Sequence, residues 1–237
     1  MLPAAVALAI YVVVFFAVLI VRGRSQRAVV KAGGDSVPGL PTGAELAASM
    51  LESLGITGVR VVEADVDAYR AVTRELQLAR AHARAATPAA WAIAAHEVAH
   101  AAQHRAGDKD WARWWVLSGH AVWAGIVLPL ALLFAAFSSS PWPWIVAVPC
   151  ALIVAGSGWL SWRTERTAVA AAKELLETAL PSMHAASAEP ALRHAARAYV
   201  AESVIDTGLI DRVAEPYRDQ RYDDAADLEQ GASSPDP

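Results

Sequence analysis

The chain has 237 residues, 55% of them hydrophobic and 19% charged, with a formal net charge of -4. That balance is too apolar for an ordinary water-soluble domain, and it lacks the basic field that nucleic-acid binding requires. The single cysteine, Cys150, excludes an internal disulfide framework and a cysteine-built metal site.

Residues 1–21 read as a transmembrane anchor. Positions 2–21 carry no charge, and twenty helical residues cover about the 30 Å of a bilayer's hydrocarbon. The basic run RGRSQR follows the apolar segment rather than preceding it, the reverse of a signal peptide, so an uncleaved anchor is expected. Residues 22–41, with their glycines, serines and prolines, read as a juxtamembrane linker.

Residues 42–112 form the next unit. Thr42 and Glu45 have capping-box spacing, an apolar helical face follows, and Gly55 ends it. The valine-rich GVRVVEADV at 58–66 reads as a strand that can pair with 71–79 in a small β-hairpin. A further helix is expected from Thr87 (N-cap) and Pro88 (first turn) to Gly107.

No Asp, Glu, Lys or Arg lies between Arg113 and Arg163. Residues 113–162 therefore read as a membrane hairpin, with spans near 114–137 and 144–162 joined by SSSPWP and edged by tryptophans. Basic residues flank one side only: Arg22, Arg24, Arg27 and Lys31, then Arg105, Lys109 and Arg113, then Arg163, Arg166 and Lys173. The positive-inside rule puts that side in the cytoplasm and the amino terminus outside. Residues 163–214 read as cytoplasmic helices, one running to Pro181 and one over about 189–213, the latter too charged to cross a membrane. Residues 215–237 read as an acidic disordered tail. His120 in the second span has only a bland explanation, a hydrogen bond within the hairpin.

The chemistry concentrates in HEVAH, His96 to His100. Two histidines four apart share a helix face and can direct ring nitrogens at one Zn²⁺. Glu97 is rotated about 100° away, so it suits a general base for a zinc-activated water better than a ligand. The apolar neighbours of the motif half-bury it, and buried histidines beside a glutamate want a partner. A catalytic zinc needs a third protein ligand. His104 is nearest, but three histidines at i, i+4 and i+8 span about 12 Å along one helix and cannot share a metal. Gln103 and Ala106 stand where metzincins carry Gly and His. Glu165 is favoured: it follows Trp162 by three residues, on the side to which the hairpin returns the chain, over the two histidines. Glu174 and Glu177 lie roughly two to three turns further on and suit a solvated face. Tyr199, His194 and Tyr69 are candidates for stabilising an oxyanion.

Over most of residues 1–205 the chain resembles the membrane-bound neutral zinc metallopeptidases called YugP-like. The resemblance is carried by TGAELAASMLESLGITGVRVVEADV, by Tyr69, by AAHEVAHAAQH, by ERTA at Glu165 and by ARAYVAESV at 196–204. It implies a Zn²⁺ peptidase with His96, His100 and Glu165 as ligands and Glu97 as base, and it favours Tyr199 as a catalytic residue. The chain departs from the family pattern at Ala99 (Gly), at Thr167 (Asp), at YRAV after Tyr69 (YDPR) and in the last segment, where Glu202, Asp206, Asp211 and Arg212 interrupt an expected span. HtpX-like and CAAX-type proteases want an Asp where Val169 stands. Site-2-like proteases want the motif inside a span, whereas residues 101–113 are polar. The expectation is a mainly α integral membrane protein. It has about three transmembrane helices plus a zincin-like helical catalytic region with a small β-hairpin, and it hydrolyses protein or peptide substrates at the cytoplasmic membrane surface. The alternative is a catalytically inactive membrane scaffold that keeps the fold.

Overall fold

The first helix of the computed structural model, α1 (Leu2–Ala32), does not stop where the apolar run stops. The structure describes residues 2–138 and 140–204. Residues 22–32, expected as linker, are helical. Nothing in RGRSQRAVVKA breaks a helix, and Val29 is buried in the hydrophobic core that also holds the HEVAH segment. The irregular connection covers only residues 33–42.

Helix α2 (Gly43–Ser53) starts as its sequence requires. The Thr42 hydroxyl accepts from the Glu45 amide, and the Glu45 carboxylate accepts from the Thr42 amide at 2.8 Å. The sheet differs from the expected hairpin. It has three strands, β1 (Arg60–Ala64), β2 (Ala68–Arg70) and β3 (Glu75–Ala79), in the order β1-β3-β2. β1 and β3 run parallel, and the antiparallel pair is β2 with β3. The reason is the short β2, which reverses the chain between the two longer strands. Its three residues carry no periodic signal, so the expected partners do pair, but in the parallel rather than the hairpin sense. A single turn, α3 (Arg80–Ala83), follows.

Helix α4 (Pro88–Arg105) carries HEVAH and is capped by Thr87, whose hydroxyl accepts from the Ala90 amide at 3.3 Å. It is buried all round from Ala89 to Ala101. Its alanines let α2, the sheet and the later helices approach its backbone closely, and the indole of Trp91 locks its start by donating to Pro41 O at 2.7 Å.

Helices α5 (Lys109–Phe137) and α6 (Trp142–Ala179) form the long hairpin. Among the described residues three helices are long and apolar enough to cross a membrane: Pro3–Ala32, Lys109–Phe137 and Trp142–Ala179. They turn large apolar side chains outward, including Phe16, Trp123, Phe134, Leu152 and Trp159, as lipid-facing helices do. At one end Leu128, Leu132 and Ala147 pack with Ala7, Leu8 and Tyr11, and the Tyr11 hydroxyl donates to Gly125 O. At the other end α6 continues past its apolar half into the core around α4.

The last described helix, α7 (Ser182–Val204), returns along α6 and packs on α1 and α4. It begins at Ser182 rather than 189 and holds Pro190 inside it. A proline suits a first turn, which is why the sequence places the start too late. The expected helical residues 205–213 and the acidic tail lie outside the described residues.

Candidate metal centre

His96 and His100 lie one turn apart on the buried face of α4, their rings nearly perpendicular with centroids 4.7 Å apart. Glu165 reaches them from α6, on the buried face that continues through Ala168, Ala172 and Leu176. The Nε2 atoms of the two histidines are 3.1 Å apart. Glu165 Oε2 is 3.0 Å from His96 Nε2, and Oε1 is 3.4 Å from His100 Nε2. One ligand atom from each residue falls within 4.8 Å of the others, so the three can hold a metal ion.

The donors suit a cation better than they suit one another. Glu165 Oε2 is buried and, despite its contact with His96, is not aligned for a hydrogen bond. Burial opposes charge on His100, but the Glu165 carboxylate outweighs it and holds the imidazole up at about 9. A buried carboxylate against two converging imidazole nitrogens calls for positive charge, and two nitrogens and an oxygen make a donor set that zinc accepts.

A second layer fixes His100. The Gln103 Nε2 group donates to Thr164 O at 3.1 Å and to the Thr167 hydroxyl at 2.7 Å. The carbonyl can only accept, so the amide is oriented, and Gln103 Oε1 is left to accept from His100 Nδ1 at 2.9 Å. That keeps a proton on Nδ1, so Nε2, which faces Glu165, is the nitrogen that would ligate a metal. Thr167, the departure from the family's Asp, therefore acts on His100 through Gln103. The sequence named Gln103 only to exclude a metzincin. Its i+3 spacing from His100 was the available signal.

Glu97 stands outside the ligand group, as its rotation on the helix requires. Its Oε2 accepts the Tyr69 amide at 2.7 Å, and the Tyr199 hydroxyl lies beside its carboxylate. Burial raises its pKa, partly offset by His96 and His100, while Asp67 pushes it further up. Tyr199 lies on His96, and burial, then Glu97, holds its hydroxyl well above the usual phenol range, so it stays a proton donor. Asp67, which the sequence reading overlooked, is held by the Ala79 amide at 2.7 Å and by His82 Nδ1 at 2.8 Å. No spacing pattern announces it.

The remaining candidates sit elsewhere. His104 Nδ1 is 2.8 Å from the Tyr69 hydroxyl, and its ring stacks on Trp111 at 4.7 Å. Tyr69 reaches the site through its backbone amide instead of its side chain. Glu174 and Glu177 are exposed. His194 makes none of these contacts. His120 is exposed on α5, with Nδ1 donating to Val116 O at 3.0 Å in its own helix.

Against family models, residues 5–212 match the family described as "putative neutral zinc metallopeptidase". The match covers most of the chain, and the protein belongs to that family, which implies zinc; the cluster of His96, His100 and Glu165 could hold a metal ion. No curated protein and no solved structure matches the chain.

Proposed function

We propose that the protein is a membrane-embedded zinc endopeptidase that cleaves protein or peptide substrates at the cytoplasmic membrane surface, through a zincin-like helical catalytic region. The observation that carries this reading is the division of labour on α4: His96 and His100 converge with Glu165, while Glu97, one residue away, is held apart from them by Tyr69 and Tyr199.

His96, His100 and Glu165 would hold the zinc, which supplies Lewis acidity that acidifies a water and polarises a peptide carbonyl. Glu97 takes the proton from the attacking water and returns it to the leaving amine. Its raised pKa suits both halves of that task. Tyr199, protonated and beside Glu97, donates a hydrogen bond to the oxyanion as the carbonyl becomes tetrahedral. Gln103 keeps His100 in the ligating tautomer. The cytoplasmic placement rests on the basic residues that flank the helices at the end where the cluster lies.

The test is zinc per chain in detergent-purified protein, together with cleavage of a broad peptide set by wild type and Glu97→Gln. About one zinc with cleavage by wild type alone supports the peptidase. One zinc with equal, negligible cleavage by both favours the scaffold reading. Protein that takes up no zinc sinks the metal centre. Protease accessibility of the 42–87 region in sealed vesicles of known sidedness tests the orientation.

A further inference from the structure

Helix α6 carries a polar stripe inside the bundle. Ser157, Ser161 and Thr164 lie on one side of the helix and are 0%, 1% and 2% exposed. None of their hydroxyls has a hydrogen-bond partner. Serines in apolar helices ordinarily satisfy themselves by donating back to a carbonyl one turn earlier, as Ser118 does to Trp115 O at 2.9 Å. These three do not.

A fourth orphan lies on α5, the helix paired with α6. The Trp114 indole N–H is also buried without a partner. The two helices meet through Asp110 and Arg163 at 2.8 Å, and again where a Cβ on Gly156 would come within 3.3 Å of Leu117. Trp114 shares a helix face with Asp110 and Leu117 and lies between those points, level with Ser157 and Ser161. The stripe ends at Thr164, whose neighbour Glu165 carries the unaligned Oε2.

Four unpartnered polar groups along one seam are costly in a dry interior and inexpensive if they share ordered water. We propose that Ser157, Ser161, Thr164 and Trp114 bind a column of water, about 12 Å long, that runs from inside the membrane part of the bundle to the metal centre. The column stands on the orphan groups themselves. Its use, as a store for the water that each hydrolysis consumes at a site where His96 and Glu97 are buried, rests on the peptidase reading.

The experiment uses the full chain in proteoliposomes with Cys150→Ser as background. Single cysteines are placed as Ser157→Cys, Ser161→Cys and, as a dry control, Ala147→Cys, buried beside Leu128 and Leu132. Methyl methanethiosulfonate reacts with thiolates, and a thiol in apolar surroundings stays un-ionised. Modification at 157 and 161 at least about tenfold faster than at 147 is expected; rates equal to the control overturn the column. Independently, Ser157→Ala with Ser161→Ala lowers Tm if the hydroxyls hold water, and a raised Tm overturns it. Zinc content measured on the same samples separates the two readings: a reactive stripe in a chain that takes up no zinc keeps the column and removes its catalytic use.

Discussion

The ring of Tyr199 lies flat on the ring of His96, centroids 4.9 Å apart and planes within 3° of one another. Its hydroxyl meanwhile lies beside Glu97, whose charge helps to keep it protonated. One side chain from α7 thus braces an imidazole of the candidate metal cluster and lies beside the proposed base.

Two substitutions separate those contacts. Tyr199→Phe keeps the stack and loses the hydroxyl, so kcat falls about 10²- to 10³-fold while zinc content is unchanged. Tyr199→Ala also frees the His96 ring, and zinc affinity falls with it. Steady-state kinetics beside metal analysis checks both. A Tyr199→Phe variant with full kcat would remove Tyr199 from the chemistry.

Glu97→Gln retains shape and loses the base. Turnover falls by about 10²- to 10⁴-fold with about one zinc still bound. Loss of the metal in this variant would move Glu97 into the ligand set and contradict the separation seen on α4.

On the proposed metal centre, Gln103 and Thr167 would act through His100. Gln103→Ala weakens zinc binding by about 10- to 100-fold, and Thr167→Val does so more mildly, since Gln103 keeps its bond to Thr164 O. Competition with a chromogenic chelator reads this without any activity assay. Unchanged affinity in Gln103→Ala would leave the His100–Gln103 contact without consequence.

The start of α2 tolerates no side chain. A Cβ on Gly43 would stand 2.3 Å from His82 O and 3.2 Å from Ala90 O, both backbone atoms. Gly43→Ala is expected to cost about 1–3 kcal/mol, seen as a lower Tm in detergent. Gly119→Ala on α5 meets nothing within 4 Å and serves as the neutral control.

Elements with a strong local signal were legible in the sequence. The Thr42–Glu45 box, the Thr87-Pro88 start and the charge-free stretch between Arg113 and Arg163 each follow from chemistry within a few residues. So does the HEVAH face, because helical spacing alone sets which side chains share a side. The extension of α1 to Ala32 and the parallel pairing of β1 with β3 were not legible. Both depend on partners distant in sequence: Val29 is held by the core, and β1 finds β3 across the short β2.

The sequence by itself determined which residues could ligate and which could act as base, because residue type and helical phase decide that. It also pointed to Glu165, because a membrane hairpin must bring the chain back to the side it left. Only the tertiary structure decided what surrounds them. Gln103 orients His100, Tyr199 joins His96 to Glu97, Tyr69 contributes an amide rather than its hydroxyl, and the Ser157–Thr164 stripe faces the bundle interior. Each of these depends on how helices rotate against one another when packed, and no local spacing encodes that rotation.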